Sequence, residues 1–73
     1  MGWKKEVFDL IRGSFAIGET FRLDQAYKFV PELKQKYPNN NHIRDKVRQI
    51  LQNLRDDGHL EFIDYQGTYK RLK

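Results

Sequence analysis

The densest run of side chains with chemistry to offer lies in residues 39–49. There Asn41, His42, Arg44, Lys46, Arg48 and Gln49 set amides, an imidazole and three cations against the one carboxylate of Asp45. Arginine can fork onto the two major-groove acceptors of guanine, and Asn and Gln match the donor and acceptor pair of adenine. The segment also reads as the start of a helix, because Ile43, Val47, Ile50, Leu51 and Leu54 recur at helical spacing. Advancing ~100° per residue gathers those five into an arc centred about 30° round from Ile43. Asn41, Asp45, Arg48, Gln49 and Gln52 then fall opposite, with His42, Arg44 and Lys46 on the flanks. An α-helix fits the major groove of a duplex, and in a helix-turn-helix the N-terminal half of the second helix enters it. Residues 41–49 are the expected half, within a recognition helix of about residues 39–57. A solvated polar face is the plain alternative, since every amphipathic helix needs one.

Two placements together favour an anionic partner, although surface solubility is the plainer explanation of either one alone. Three cations crowd a helix N-terminus, whose positive dipole end prefers carboxylates. Lys4 and Lys5 repeat the anomaly in the first turn of the N-terminal helix, where a phosphate backbone would explain them. Near the C-terminus, Tyr65, Gln66, Lys70 and Arg71 belong to a hairpin that could follow a phosphate strand or reach a minor groove. The equal alternative is that Lys70 and Arg71 blunt an edge strand against aggregation.

Other chemistry finds little material. The chain has no cysteine, which removes disulfide scaffolds, thiolate zinc sites and thiol catalysis together. His42 and His59 have no partner His or Cys, so neither a metal nor a cofactor is expected. Asp56, Asp57 and Glu61 lie near no nucleophile and base pair, so no catalytic residue is assigned and the chain is read as a non-enzyme. The phenylalanines read as core. Trp3 stays open as a contact surface because it begins its helix.

The elements that must position these residues follow from pattern and turn chemistry. Residues 3–13 form a first helix through Trp3, Val7, Leu10 and Ile11, with Gly13 as its stop. Residues 20–23 alternate as a short strand, and Asp24 is the N-cap of a second helix carrying Ala26, Tyr27, Val30 and Leu33. Pro31 divides that helix near Val30, and Tyr37-Pro38 ends it. After the turn at residues 38–41 comes the long third helix, closed by Gly58. Residues 59–63 and 68–72 are strands around a loop in which Gly67 takes a positive φ. The order helix, strand, helix, helix, strand, strand is that of a winged helix-turn-helix: α+β but mainly α, three helices with a small three-stranded antiparallel sheet and a C-terminal hairpin wing. Seventy-three residues hold one such domain, residues 1–73, and Leu, Ile, Val and Phe at 20 positions can build its core. The net charge of +4 favours an anionic partner. No apolar run approaches a membrane span and no signal peptide is visible, so a cytoplasmic, membrane-independent module is expected.

Several runs carry a resemblance: Gly2-Trp3, Tyr37-Pro38-Asn39-Asn40, Asn41-His42-Ile43-Arg44-Asp45-Lys46-Val47-Arg48-Gln49, Leu54-Arg55-Asp56-Asp57-Gly58 and Gly67-Thr68-Tyr69. With these the chain resembles, over nearly its whole length, the C-terminal winged-helix domain of DpnI and the Dam-replacing restriction endonucleases. The resemblance implies a bacterial restriction-modification context and binding of double-stranded DNA, commonly at GATC with adenine methylated. A covalently linked nuclease domain would do the cutting, and the domain itself is expected to be monomeric. It also implies base and backbone contacts from Asn41, Arg44, Lys46, Arg48 and Gln49. A methyl on the adenine amine needs apolar surface in the major groove, for which Trp3 and Pro38 are candidates beside the aliphatic stems of Lys46 and Arg48. Two other readings remain: a winged-helix transcriptional regulator of unmethylated DNA, and a winged-helix protein-interaction module.

Overall fold

The computed structural model describes residues 2–64 and 67–73. Helix α1 (Trp3–Ser14) buries Val7 and Ile11 completely. Gly13, expected to stop it, lies inside the helix. The end comes at Phe15, whose backbone turns extended at φ −133° while its N–H donates to the Ile11 carbonyl at 2.9 Å. The cause is tertiary: the turn lays the Phe15 ring on Phe21, centroids 4.5 Å apart and planes within 8°. There the Arg71 guanidinium donates to the Phe15 carbonyl at 2.7 Å. Carbonyls at a helix C-terminus lack intrahelical donors, and a guanidinium supplies charge-assisted ones.

Strand β1 (Thr20–Arg22) is one residue shorter than expected, because Leu23 opens α2 (Leu23–Ala26). Arg22 therefore stands at the N-cap where Asp24 was expected, and Asp24 lies in the first turn. The Gln25 side chain accepts from the Arg22 N–H at 2.8 Å, satisfying a donor the strand leaves free. A 3-10 turn (Tyr27–Phe29) leads into α3 (Val30–Lys36). The division at Pro31 is the expected one: proline sits in the first turn of α3, where its missing N–H would have had no partner. Tyr37 ends α3, its N–H donating to the Leu33 carbonyl at 2.8 Å.

In the turn that follows, the Asn40 carboxamide oxygen accepts from the His42 N–H at 2.7 Å, a local bond that asparagine makes readily. Helix α4 (Ile43–Asp56) then buries the five apolar residues its periodicity marked: Ile43, Val47, Ile50, Leu51 and Leu54. It packs on α1, α3 and the sheet. Its C-terminus closes with paired bonds, Gly58 N–H to the Arg55 carbonyl and His59 N–H to the Leu54 carbonyl, while Gly58 takes φ +83°. That is a Schellman motif, in which the positive φ falls to glycine because a Cβ would clash there.

Strands β2 (Leu60–Asp64) and β3 (Thr68–Arg71) complete a three-stranded antiparallel sheet in the order β1-β3-β2. Phe21, Tyr69 and Phe62 face one another across the three strands. Their rings stack in a row, Phe21 on Tyr69 at 5.7 Å and Phe62 on Tyr69 at 4.9 Å. Three helical arms, counting α2 and α3 as one broken arm, thus share a core with a hairpin wing, as expected.

The wing is pinned near its connecting loop. Leu23 N–H donates to the Gly67 carbonyl at 2.8 Å, and a Cβ on Gly67 (φ +90°) would lie 3.3 Å from the Leu23 Cβ. Gly58→Ala is expected to cost about 1 to 2 kcal/mol for its left-handed backbone alone. Gly67→Ala should cost more, because its methyl must also displace Leu23. Urea midpoints check this, and equal midpoints for the two variants would show that the contact between Gly67 and Leu23 yields freely.

Candidate nucleic-acid interface

Burial of the apolar stripe fixes how α4 is rotated, and so decides which side chains leave the surface. Arg44, Asp45, Arg48, Gln49 and Gln52 are exposed and Lys46 is half-buried. Asn41 and His42 precede the helix, which is a correction to the expected recognition segment: α4 begins at Ile43, after the turn built on Asn40. They still flank its N-terminus, and both line two clefts there. One, of about 650 Å³, runs along the turn past Tyr37 and Pro38; the other, of about 390 Å³, runs between α3 and α4 past Lys34 and Arg44.

The cations divide into two groups. Among the described residues Lys46 and Arg48 make no ion pair, and Arg44 lies over the Tyr27 ring at 5.3 Å. A cation on an aromatic face keeps its donors free while its position is held. Further along the same side of α4, Arg55 lies over Phe62 at 4.9 Å and pairs with Asp56 at 3.1 Å. Burial raises the Tyr69 hydroxyl above its ordinary pKa, and the positive charges of Arg48 and Arg55 pull the other way. Sequence reading missed Tyr27 as a support and Arg55 as part of this row. The spacing of Arg44, Arg48 and Arg55, which returns to one side of a helix, was the available signal.

The second group is engaged inside the fold. Lys4 pairs with Asp57, tying α1 to the end of α4. Fourteen residues at 1.5 Å per residue put that point about 20 Å from the start of α4. Lys5 pairs with Asp9 at 3.0 Å, one turn along, and its hydrogen bond holds the Asp9 carboxyl below its ordinary pKa. Folding therefore does give Lys4 and Lys5 partners, a reason that the sequence pattern did not supply. Lys36 pairs with Glu6, and that hydrogen bond raises the lysine above its ordinary pKa.

Arg71 is tied to the body of the domain. Expected on the wing surface, it is only partly exposed, and it donates to the Phe15 carbonyl at 2.7 Å and to the Lys73 carbonyl at 2.8 Å. Nor does it blunt an edge with Lys70, because β3 is the central strand. Lys70 stands opposite Thr20 on one side and Glu61 on the other. The wing-tip candidates Tyr65 and Gln66 lie outside the described residues.

Trp3 was expected at an exposed helix start. It is half-buried, its indole stacked on Tyr37 with centroids 4.1 Å apart and planes 20° apart. The stack sets Trp3 beside the residue that leads into Pro38 and the larger cleft. Among the described residues no His, Asp and Glu side chains gather to hold a metal ion, and no helix is long and apolar enough to cross a membrane.

A broken helical arm, a tight turn, a second helix with an outward amide and cation face, and a hairpin wing define a winged helix-turn-helix. Residues 1–71 match the family described as the Dam-replacing HTH domain, and the chain belongs to that family. It is a DNA-binding helix-turn-helix domain, and such a domain is not itself catalytic. Arg71→Leu should lower stability by about 1 to 2 kcal/mol through lost charge-assisted bonds and leave duplex affinity unchanged. Thermal melts and a duplex titration check this, and a fall in affinity without a fall in stability would return Arg71 to the binding surface.

Proposed function

We propose that this domain inserts the N-terminal half of α4 into the major groove of duplex DNA and prefers sites with methylated adenine, GATC-like in sequence. On this reading it acts as a monomeric specificity module of a methyl-directed restriction endonuclease, with a covalently linked nuclease domain. Asn41, Arg44, Arg48 and Gln49 supply base contacts. His42, Lys46, Lys70 and the wing residues Tyr65 and Gln66 contact backbone, and Lys4 and Lys5 add long-range attraction from their exposed pairs.

One observation carries the methyl preference: apolar surface adjoins the polar start of α4. Trp3 stacks on Tyr37, and Tyr37, Pro38, Asn41 and His42 line one cleft. The adenine amine faces the major groove, so its methyl would be displayed where an indole edge, a proline ring or the stem of Lys46 can cover it. Burying one such carbon is worth roughly 0.8 kcal/mol. Two methyls in neighbouring base pairs then give a preference of about tenfold to twentyfold.

Most of the affinity must come from phosphate and base contacts. With Arg71 held inside the fold and Lys4 paired at the far end of α4, three or four phosphate contacts remain. The log-log salt slope is expected at roughly −3 to −4. Gln49→Ala and Arg48→Ala should each weaken binding to the preferred duplex by ~1 to 3 kcal/mol, with smaller losses on random duplex. Titrating one GATC duplex unmethylated, half-methylated and fully methylated tests the reading directly. Equal affinity for all three would identify a reader of unmethylated DNA, and weak, salt-independent binding to every duplex would point to a protein-interaction module.

A further inference from the structure

We infer that Asp45 is a specificity-determining residue whose carboxylate accepts from the exocyclic amine of a cytosine in the major groove. The inference rests on the groove-insertion reading and adds a residue to it. Advancing ~100° per residue, Asp45 lies about 200° round α4 from Ile43, almost diametrically opposite the centre of the buried arc. Arg48 and Gln49 lie to either side of that line, and Gln52 is two turns further on. In the half of α4 that enters the groove, the side chain aimed most directly outward is therefore an acid.

The surroundings leave that acid without an internal role. The Asp45 side chain is 87% exposed, and its nearest partner is the equally open His42 ring, whose Nδ1 lies 3.9 Å away. The helix dipole favours a carboxylate in the first turn, but it would favour one equally at the positions held by Arg44 and Lys46, so it does not select the outermost position. Attraction to phosphate does not select it either, since a negative charge at the apex opposes the three cations around it.

Base chemistry does select it. A carboxylate only accepts, and the major-groove donors are the amines of cytosine and adenine. A methyl on adenine replaces the amine hydrogen that faces the groove, which leaves cytosine as the donor at a methylated site. Guanine and thymine would set acceptor oxygens against a desolvated negative charge, so the same carboxylate that holds cytosine turns them away.

The test is selection by the whole chain from short duplexes of randomised sequence, synthesised with and without methylated adenine. Wild type should enrich cytosine at one position by about tenfold, the scale of one good base contact. Asp45→Ala should flatten that position, keep the preferences elsewhere and bind unselected duplex more tightly. Asp45→Asn, which adds donors, should admit bases that present acceptors there. If both variants kept the cytosine preference and merely bound every duplex more tightly, Asp45 would be a charge on the surface and the inference would be overturned. If wild type enriched no base at any position, the groove-insertion reading itself would fail, a different and recognisable result.

Discussion

Burial of one stripe on α4 governs the rest of the molecule. Ile43, Val47, Ile50, Leu51 and Leu54 face α1, α3 and the sheet together, each at 5% exposure or less. Fully burying a side chain of this size is worth roughly 1.5 to 3 kcal/mol over leaving it in water. Turning the helix by one residue would bring several of them to the surface at once, whereas its polar residues are solvated at most other angles. The apolar stripe thus fixes the direction of every amide and cation on the opposite face. The proposed binding surface is held in place by the residues buried beneath it.

The positive charge of the chain is divided between two tasks. Arg71 spends its fork on carbonyls at the end of α1, and the aromatic row Phe15, Phe21, Tyr69 and Phe62 packs where that cap holds β3 against the helix. The bond to Phe15 is partly buried, and turning that guanidinium to a phosphate would loosen the sheet. The pairs of Lys4 and Lys5 are different in kind. Their side chains are 48% and 68% exposed, and exposed ion pairs contribute little to stability, so such ammonium groups keep their electrostatic reach. Lys46 and Arg48 stand at the other extreme, with no ion-pair partner among the described residues. Net charge alone does not distinguish these cases.

Local chemistry was legible in the sequence and distant pairing was not. The extent of the apolar stripe on α4, the break at Pro31, the end of α3 before Pro38 and the positive φ of Gly58 and Gly67 all follow from constraints acting over a few residues. The misplaced features involve partners remote in sequence. Gly13 looked like a stop because glycine weakens a helix, yet the helix runs on until stacking on Phe21 pulls Phe15 out of it. Lys4 looked unexplained because its partner, Asp57, is 53 residues away, and Arg71 looked like a surface cation because Phe15 is 56 residues away. Trp3 looked exposed for want of Tyr37. Asn41 was drawn into the helix because its side chain extends the polar face, whereas the local bond from His42 to Asn40 delays the start of α4.

The two kinds of contact in the proposed site respond differently to their surroundings, and that difference shapes what such a module can do. Phosphate contacts release counterions, so their contribution falls steeply as salt rises. A methyl group packed under Trp3 or Pro38 releases none, and its contribution depends on apolar area alone. On the proposed reading three tasks therefore separate: phosphate contacts would set how tightly any duplex is held, base contacts from α4 would set which sequence is favoured, and the apolar surface at the start of α4 would set how much the methyl mark counts. A proposed preference of about tenfold to twentyfold from two carbons would bias a search without settling it. A linked second reader would multiply the ratio, since free energies of independent contacts add.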